Sequence, residues 1–401
     1  MENKRVPEVR FAEFSGEWEL LTLGDIANKF EYGLNASATN YDGKNRYIRI
    51  TDIDDHSRNL INSNLTSPNT NLSASQNYLL NQGDILIART GASVGKSYIY
   101  NSSDGIAYFA GFLIRMRLLN NYHPYFIFQH TLTEKYRTYI NITSQRSGQP
   151  GVNAKEYASF SLRVPILDEQ IQIGNFFKQL DETIALQQQE LDTLKQTKQG
   201  FLQKMFPKEG EAVPEVRFPG FSGEWESRNL GSIAEFINGR AYKQKELLSD
   251  GKYKVVRVGN FYTNKSWYYS NLDLDDKYYA NNGDLLYTWS ASFGPHIWSG
   301  DKVIYHYHIW KINLSNSFLK HFALQLLEYD KQKLLSDKNG STMVHVTKKG
   351  MEDKKVTIPN IQEQTQIGNF FKQLDDTIAL HEKELETLKE TKKAFLQKMF
   401  V

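Results

Sequence analysis

Two stretches of the chain place apolar residues at alternating spacings of four and three. In the first, the seam runs through Ile173, Phe177, Leu180, Ile184, Gln187, Leu191, Leu194, Lys198, Phe201 and Met205. In the second it runs through Ile367, Phe371, Leu374, Ile378, His381, Leu385, Leu388, Lys392, Phe395 and Met399. A period of 3.5 is the mark of a helix that packs along one stripe against another helix. The spacing therefore predicts one long helix over 169–206 and another over 363–400, with no proline inside either and Pro207 just past the first. At ~1.5 Å per residue each is a rod of about 57 Å. The expected pairing residues are Phe177, Leu180, Ile184, Leu191 and Leu194 with Phe371, Leu374, Ile378, Leu385 and Leu388. The polar seam positions Gln187, Lys198, His381 and Lys392 are of the kind that fix register at a cost in stability. The seam alone does not decide between parallel and antiparallel pairing. A flush antiparallel register would bring Leu180 near Lys392 and Gln187 near Leu385.

Elsewhere the apolar pattern is that of strands mixed with shorter helices. RYIRITDI (46–53), GDILIAR (83–89) and the run FAGFLIRMRLL (109–119) read as strands, followed by a helix over 125–140. Later in the chain KVVRVGNF, GDLLYTW and KVIYHYHIWKINL repeat the strand pattern, and 318–338 repeats the helix. SLRVPIL and KVTIPNI lead from these regions into the two long helices.

The correspondence is literal at the ends of each unit. VPEVRF occurs at 6–11 and 213–218, SGEWE at 15–19 and 222–226, and LGDIA at 23–27 answers LGSIA at 230–234. EQIQIGNFFKQLDETIAL at 169–186 answers EQTQIGNFFKQLDDTIAL at 363–380, and FLQKMF closes both units. Internal repetition at this scale makes the chain two copies of one unit. Decay after duplication would not spare one 38-residue segment and scramble the rest. The ends therefore read as a shared scaffold and the middles as two different specificities.

Composition narrows the chemistry. With 401 residues, 40% hydrophobic and 23% charged, the chain is globular and long enough for two or three domains. It has no cysteine, which removes disulfides, thiolate metal sites and cysteine nucleophiles and suits a reducing cytoplasm. MENKRVPEVRF lacks the apolar core of a signal peptide, and no window has the length of a membrane span. Net charge is only +2, but it is unevenly spread. Residues 20–160 hold 13 Lys and Arg against 10 Asp and Glu, and residues 227–355 hold 19 against 13. Basic, aromatic-rich middles suit nucleic acid, while the excess is modest.

Enzyme motifs fail one by one. GASVGKS at 91–97 has three residues between its glycines where a phosphate-binding P-loop needs four, and its counterpart SASFGPH lacks the lysine. There is no Asn-Pro-Pro or Asp-Pro-Pro core of an amino-methyltransferase, no proline followed by aspartate as in the common nuclease motif, no H-E-x-x-H and no G-x-S-x-G. His306 and His308, two apart in an alternating strand, share a face and read more readily as a buried or half-exposed strand pair than as metal ligands. No catalytic residue and no metal site is expected in this chain.

The paired EQxQIGNFFKQLD…TIAL and FLQKMF segments, the G-D-I/L-L strand, the R-T-G-A-S-V-G-K loop at 89–96 and QRSGQPGVNAKEY at 145–157 together resemble the specificity subunit of type I restriction-modification enzymes. The resemblance spans nearly the whole chain, and the repeated openings look most like subunits of low-GC Gram-positive bacteria such as staphylococci. It implies an α+β fold of two target recognition domains in tandem, joined by two long helices packed as an antiparallel coiled coil about a pseudo-twofold axis. The boundaries expected are 1–165 for the first domain, 166–206 for its helix, 207–357 for the linker and second domain, and 358–401 for the second helix. It implies that each domain reads one half of an asymmetric bipartite DNA target while the helices set the spacing. The partners implied are double-stranded DNA, two methyltransferase subunits docked on the helices and, through the complex, nuclease-translocase subunits, with no membrane. S-adenosylmethionine, ATP and Mg²⁺ would belong to those partners. A coiled-coil adaptor with two protein-binding ends and a tandem glycan- or peptide-binding protein are the competing classes.

On that reading the base and phosphate contacts would come from strand ends and loops. In the first unit these are Arg49, Arg89, Thr90, Ser93 and Lys96, with Arg146, Gln149, Asn153 and Lys155 in a Gly/Pro loop. In the second they are Arg257, Asn260, Trp289, Ser292, His296, Thr342, His345, Thr347 and Lys348. Arginine pairs with guanine and Asn or Gln with adenine in the major groove, while lysine more often contacts phosphate. The competing reading for Arg49 and Arg89 is an ion pair with Asp52 or Asp84.

Overall fold

The computed structural model describes residues 5–290, 292–336 and 346–401. The chain divides into two compact units, Met1–Gln189 with Glu382–Val401, and Glu190–His381. Each long helix contributes to both: Leu167–Lys204 and Ile361–Lys398 are each 38 residues long.

In the first unit a four-stranded antiparallel sheet has the order Ala27–Tyr32, Leu113–Leu118, Ile85–Ala88, Ser97–Ile99. Beside it Arg46–Ile48 pairs in parallel with Ala107–Phe109. Glu19–Thr22 pairs with Ser161–Val164, so the entry and exit of the domain are tied together. The core gathers Trp18, Ile85, Ile87, Ile114, Met116 and Phe126 with Ile173 and Phe177 of one long helix and Met399 from the end of the other.

The second unit repeats the plan. Its sheet has the order Ala234–Asn238, Ile309–Leu314, Leu285–Thr288, Gly294–Ile297, and Tyr253–Val256 runs parallel to Val303–Tyr305. Glu226–Asn229 pairs with Lys355–Ile358. Trp225, Phe236, Tyr287, Trp310, Phe318 and Phe322 form the core with Met205 and Phe206, just past the end of one long helix, and Ile367 and Phe371 of the other.

Within each unit the two long helices run antiparallel. In the first, Phe176 packs edge-on against Phe395 at 5.0 Å, Asp181 pairs with Lys392 at 2.6 Å, and Gln188 accepts from Lys389 at 3.5 Å. In the second, Phe201 packs on Phe370 at 5.0 Å, Lys198 pairs with Asp375, and Glu190 faces His381 at 3.9 Å. Lys392 thus meets the residue next to Leu180. All twenty seam positions are buried or half-buried. The two lysines in the seam are held by carboxylates, which is how cations sit on an apolar stripe.

Four sequence expectations need correction. RYIRITDI is a strand only over Arg46–Ile48 and turns at Ile50–Asp52, as KVVRVGNF does at Val258–Phe261. FAGFLIRMRLL is not one strand: Ala107–Phe109 and Leu113–Leu118 are separated by a tight turn in which Leu113 N–H donates to the Ala110 carbonyl at 2.9 Å. The second unit breaks identically between Val303–Tyr305 and Ile309–Leu314, so His306 and His308 lie in a turn and not on one face of a strand. The helix expected over 125–140 is two helices, Pro124–His130 and Glu134–Thr143. Thr133 caps the second by accepting from Tyr136 N–H, and local side-chain bonding of this kind ends one helix and starts another. In the second unit the corresponding helix, Lys320–Ser336, is continuous.

Candidate nucleic-acid interface

Three strand ends meet in the first unit. Ala110 N–H donates to the Ile48 carbonyl at 2.9 Å, which sets Arg49 beside the turn Ala110–Phe112. Arg89 N–H donates to the Phe112 carbonyl at 3.0 Å, which sets Arg89 on the other side of that turn. The Gly/Pro loop is drawn to the same place. Val152 N–H donates to the Arg89 carbonyl, Gly91 N–H to the Pro150 carbonyl, and Thr90 bridges Gly151. Gly91 has a left-handed backbone (φ +78°), and a Cβ there would lie 3.1 Å from Gln149 Nε2. Arg89, Thr90 and Gln149 therefore share one surface, although 60 residues separate the loop from the strand.

The individual side chains have different freedom. Arg49 makes a bidentate pair with Asp52, Nε to Oδ2 at 2.9 Å and Nη2 to Oδ1 at 2.7 Å. The carboxylate raises its pKa and holds its plane. Asp84, the other anticipated partner, is taken by Arg117 through two bonds of 2.8 and 2.7 Å. Arg146 pairs with Glu156. Lys96 is turned inward, 6% exposed, and donates to the Ile53 carbonyl and to Asp55, each at 2.8 Å. It anchors the loop it sits in. Asn153 caps the helix Ala154–Ala158 by accepting from Glu156 N–H. Ser93 is half-buried, with its carbonyl accepting from Lys96 N–H; Gln149 and Lys155 are exposed. Arg89 differs from the other two arginines. Its guanidinium lies over the ring of Tyr32 at 5.1 Å and of Phe112 at 6.0 Å, and its buried Nε has no hydrogen-bond partner.

The second unit builds the same junction from other residues. His306 N–H donates to the Val256 carbonyl, setting Arg257 beside the turn, and Trp289 N–H donates to the His308 carbonyl, as Arg89 does to Phe112. Arg257 lies over Tyr268 at 4.2 Å and donates to the Ser266 carbonyl at 3.2 Å, with its Nε buried and unpaired. Asn260 is spent on structure: its Oδ1 accepts from Arg257 N–H and its Nδ2 donates to the Asn264 and Ser266 carbonyls. Trp289 stacks on Trp310 at 5.7 Å, meets His308 edge-on at 4.9 Å and donates its indole N–H to the Tyr307 carbonyl. His296 stacks on Phe261 at 4.2 Å, and burial, with Lys331 nearby, pushes its pKa down to about 4. Burial also lowers His306 and His308. Ser292 is exposed. Thr347 caps Lys348–Glu352, and Lys348 pairs with Glu352 at 3.6 Å. Thr342 and His345 lie outside the described residues.

Tyr32 and Phe112 were not legible as site residues. The only sequence signal was an aromatic directly after Gly111 in an apolar run. Also missed was the pair that fixes the scaffold. Arg10 clamps the fully buried Glu169 through two bonds of 2.7 Å, and Arg217 clamps Glu363 likewise at 2.6 and 2.7 Å. Among the described residues no group of three His, Asp or Glu side chains is placed to hold a metal ion, and no helix is long and apolar enough to cross a membrane.

Comparison with known proteins gives a consistent result. The family model of the type I restriction modification DNA specificity domain matches residues 15–196 and again 222–390. The chain is 23% identical to the MjaX type I restriction enzyme specificity subunit relative of Methanocaldococcus jannaschii, over 98% of this chain and 95% of the relative. It is 21% identical to the MjaVIII specificity subunit of the same organism, over 79% and 78%. The fold is similar to that of the S subunit of a type I restriction-modification system from M. genitalium, with a TM-score of 0.67, 16% identity and 99% of both chains covered. A second solved chain, from work on assembly and conformational transition of the type I R-M system, gives a TM-score of 0.54 at 17% identity, covering 95% of this chain and 97% of that one.

Proposed function

The chain belongs to the type I restriction modification DNA specificity family, and from that premise we propose that it is the subunit that gives a type I restriction-modification complex its DNA sequence. Each middle domain reads one half of an asymmetric bipartite target, and the paired long helices set the distance between the halves. The same helices dock two modification subunits, and the nuclease-translocase subunits join through the complex. S-adenosylmethionine, ATP and Mg²⁺ act in those partners, and the assembly works in the cytoplasm. The repeated VPEVRF openings support a source among low-GC Gram-positive bacteria.

The observation that carries this reading is the contrast within one chain. The scaffold contacts are the same in both units, Arg10–Glu169 and Arg217–Glu363 among them. The residues at the strand junction differ, with Arg89 and Phe112 in one and Trp289 and His308 in the other. Unlike readers on like frames suit two unlike half-sites.

Methylome sequencing of cells carrying the intact system tests it. The expected result is one methylated motif of two unlike halves separated by a fixed number of unspecified bases. A purified complex should also bind that duplex with log affinity falling linearly in log salt concentration. Absence of any motif, with protein partners bound through both globular ends, would favour a coiled-coil adaptor instead.

A further inference from the structure

Of the three arginines at the junction of the first unit, two already hold carboxylates. Arg49 is clamped to Asp52 and Arg146 to Glu156. Arg89 has no carboxylate and no hydrogen-bond acceptor among the described residues, yet it is not loose. Its backbone is fixed on both sides, N–H to the Phe112 carbonyl and carbonyl from Val152 N–H. Its guanidinium lies over two aromatic rings, Tyr32 and Phe112. Tyr32 is itself tied down, its hydroxyl accepting from Ala154 N–H at 3.3 Å. Both rings reach the surface, Tyr32 being 44% and Phe112 61% exposed.

The chemistry of this arrangement is specific. An aromatic ring attracts the face of a guanidinium and leaves its in-plane N–H edge unspent. The side chain is thus held without using up its donors. That removes much of the rotamer entropy an exposed arginine would lose on binding. With Nε buried, it is the two terminal Nη groups, which have no internal acceptor, that match the O6 and N7 acceptors guanine shows in the major groove. In the second unit the corresponding place holds Trp289, whose only side-chain N–H already donates to the Tyr307 carbonyl. It has no donor left to give.

We propose that Arg89, braced by Tyr32 and Phe112, is the guanine-reading side chain of the first recognition domain, and that Trp289 leaves the second domain without a guanine reader at the matching place. Tyr32 and Phe112 are positioning residues that act through Arg89. The inference rests on the DNA-specificity reading above and adds to it which base is read, by which residue and how that residue is held.

The test uses the full chain assembled with its modification subunits. Duplexes carrying 7-deazaguanine, which lacks the N7 acceptor, are placed at each guanine of the target in turn. The wild-type complex should lose about 10- to 100-fold in affinity at one guanine of one half-site. Arg89→Lys, which keeps the charge but not the fork, should lose that dependence and relax the same position in the methylome, leaving the other half-site intact. Phe112→Ala should relax the same position by a smaller factor, and Phe112→Tyr should restore it. Should Arg89→Lys fail to assemble, Phe112→Ala carries the same comparison from an exposed tip position. An Arg89→Lys or Phe112→Ala complex with an unchanged motif overturns the proposal, as does a changed position that is not guanine. A wild-type complex with no sequence preference at all sinks the specificity reading itself, which is a separate outcome.

Discussion

Burial of single ionisable groups sets the most direct consequences. Glu169 and Glu363 are fully buried carboxylates, and each depends on one arginine from a segment about 150 residues away. Breaking such a pair from one side leaves an uncompensated charge and costs about 3–5 kcal/mol. Arg10→Ala should therefore lower stability by that amount, read as a shift of the urea midpoint, while the double change Arg10→Met with Glu169→Leu should recover most of it. Two histidines give a pH dependence. Burial, reinforced by Lys135, pushes His130 down to about 3, and burial with Lys331 nearby pushes His296 to about 4. Both are neutral in the folded chain and protonate first in the unfolded one. Their contribution is complete above the ordinary histidine pKa of about 6.5 and is lost as pH falls from there toward 4 and 3. For His296 the loss is roughly 3 kcal/mol. Replacing His130 and His296 by Phe should flatten the stability profile between pH 6.5 and 4, and an unchanged slope would count against neutral burial. Of these groups the sequence singled out only His296, and as a DNA contact; the others do not stand out, because each partner is brought in by the fold and not by spacing.

The long helices were the most legible elements. Their 3.5-residue seam is an internal property of 38 consecutive residues, so no distant contact is needed to see it. The strand turns at Ala110–Phe112 and His306–His308 were not legible. Both lie inside continuous apolar or aromatic runs, and an unbroken strand and two strands joined by a three-residue turn share that pattern. Each turn packs its backbone closely on a glycine of the neighbouring segment: a Cβ on Gly33 would lie 2.1 Å from the Ala110 carbonyl oxygen, and one on Gly239 2.3 Å from that of His306. The same logic separates two glycines within the helix Leu167–Lys204. A Cβ on Gly174 would sit 2.2 Å from His123 Nδ1 and 3.2 Å from Phe126 N, where the helix Pro124–His130 docks. A Cβ on Gly200 would meet nothing within 4 Å. Gly200→Ala should stabilise by about 0.5–1 kcal/mol through helix propensity alone, whereas Gly174→Ala should destabilise by pushing the docked helix away. Thermal unfolding of the two variants decides this, and equal signs would refute the account.

Across the whole molecule, each domain meets its long helices through the same contacts. His123 N–H donates to Gln170 as Leu319 N–H does to Gln364. Gln129 donates to Asp181 as Gln325 does to Asp375, and each of these carboxylates also holds a seam lysine, Lys392 or Lys198. Entry and exit strands pair in the same register in both units, Thr22 against Ser161 and Asn229 against Lys355. A domain moved from one frame to the other therefore finds these partners again. Replacing residues 230–358 by a copy of 23–164 should give a chain that folds, assembles and reads the first half-site twice. The second half-site should vanish from the methylome, and the guanine assigned to Arg89 should appear in both halves. A chain that assembles but keeps the original second half-site would place specificity outside the exchanged residues. One that reads neither half would show that the shared contacts are insufficient to seat the domain.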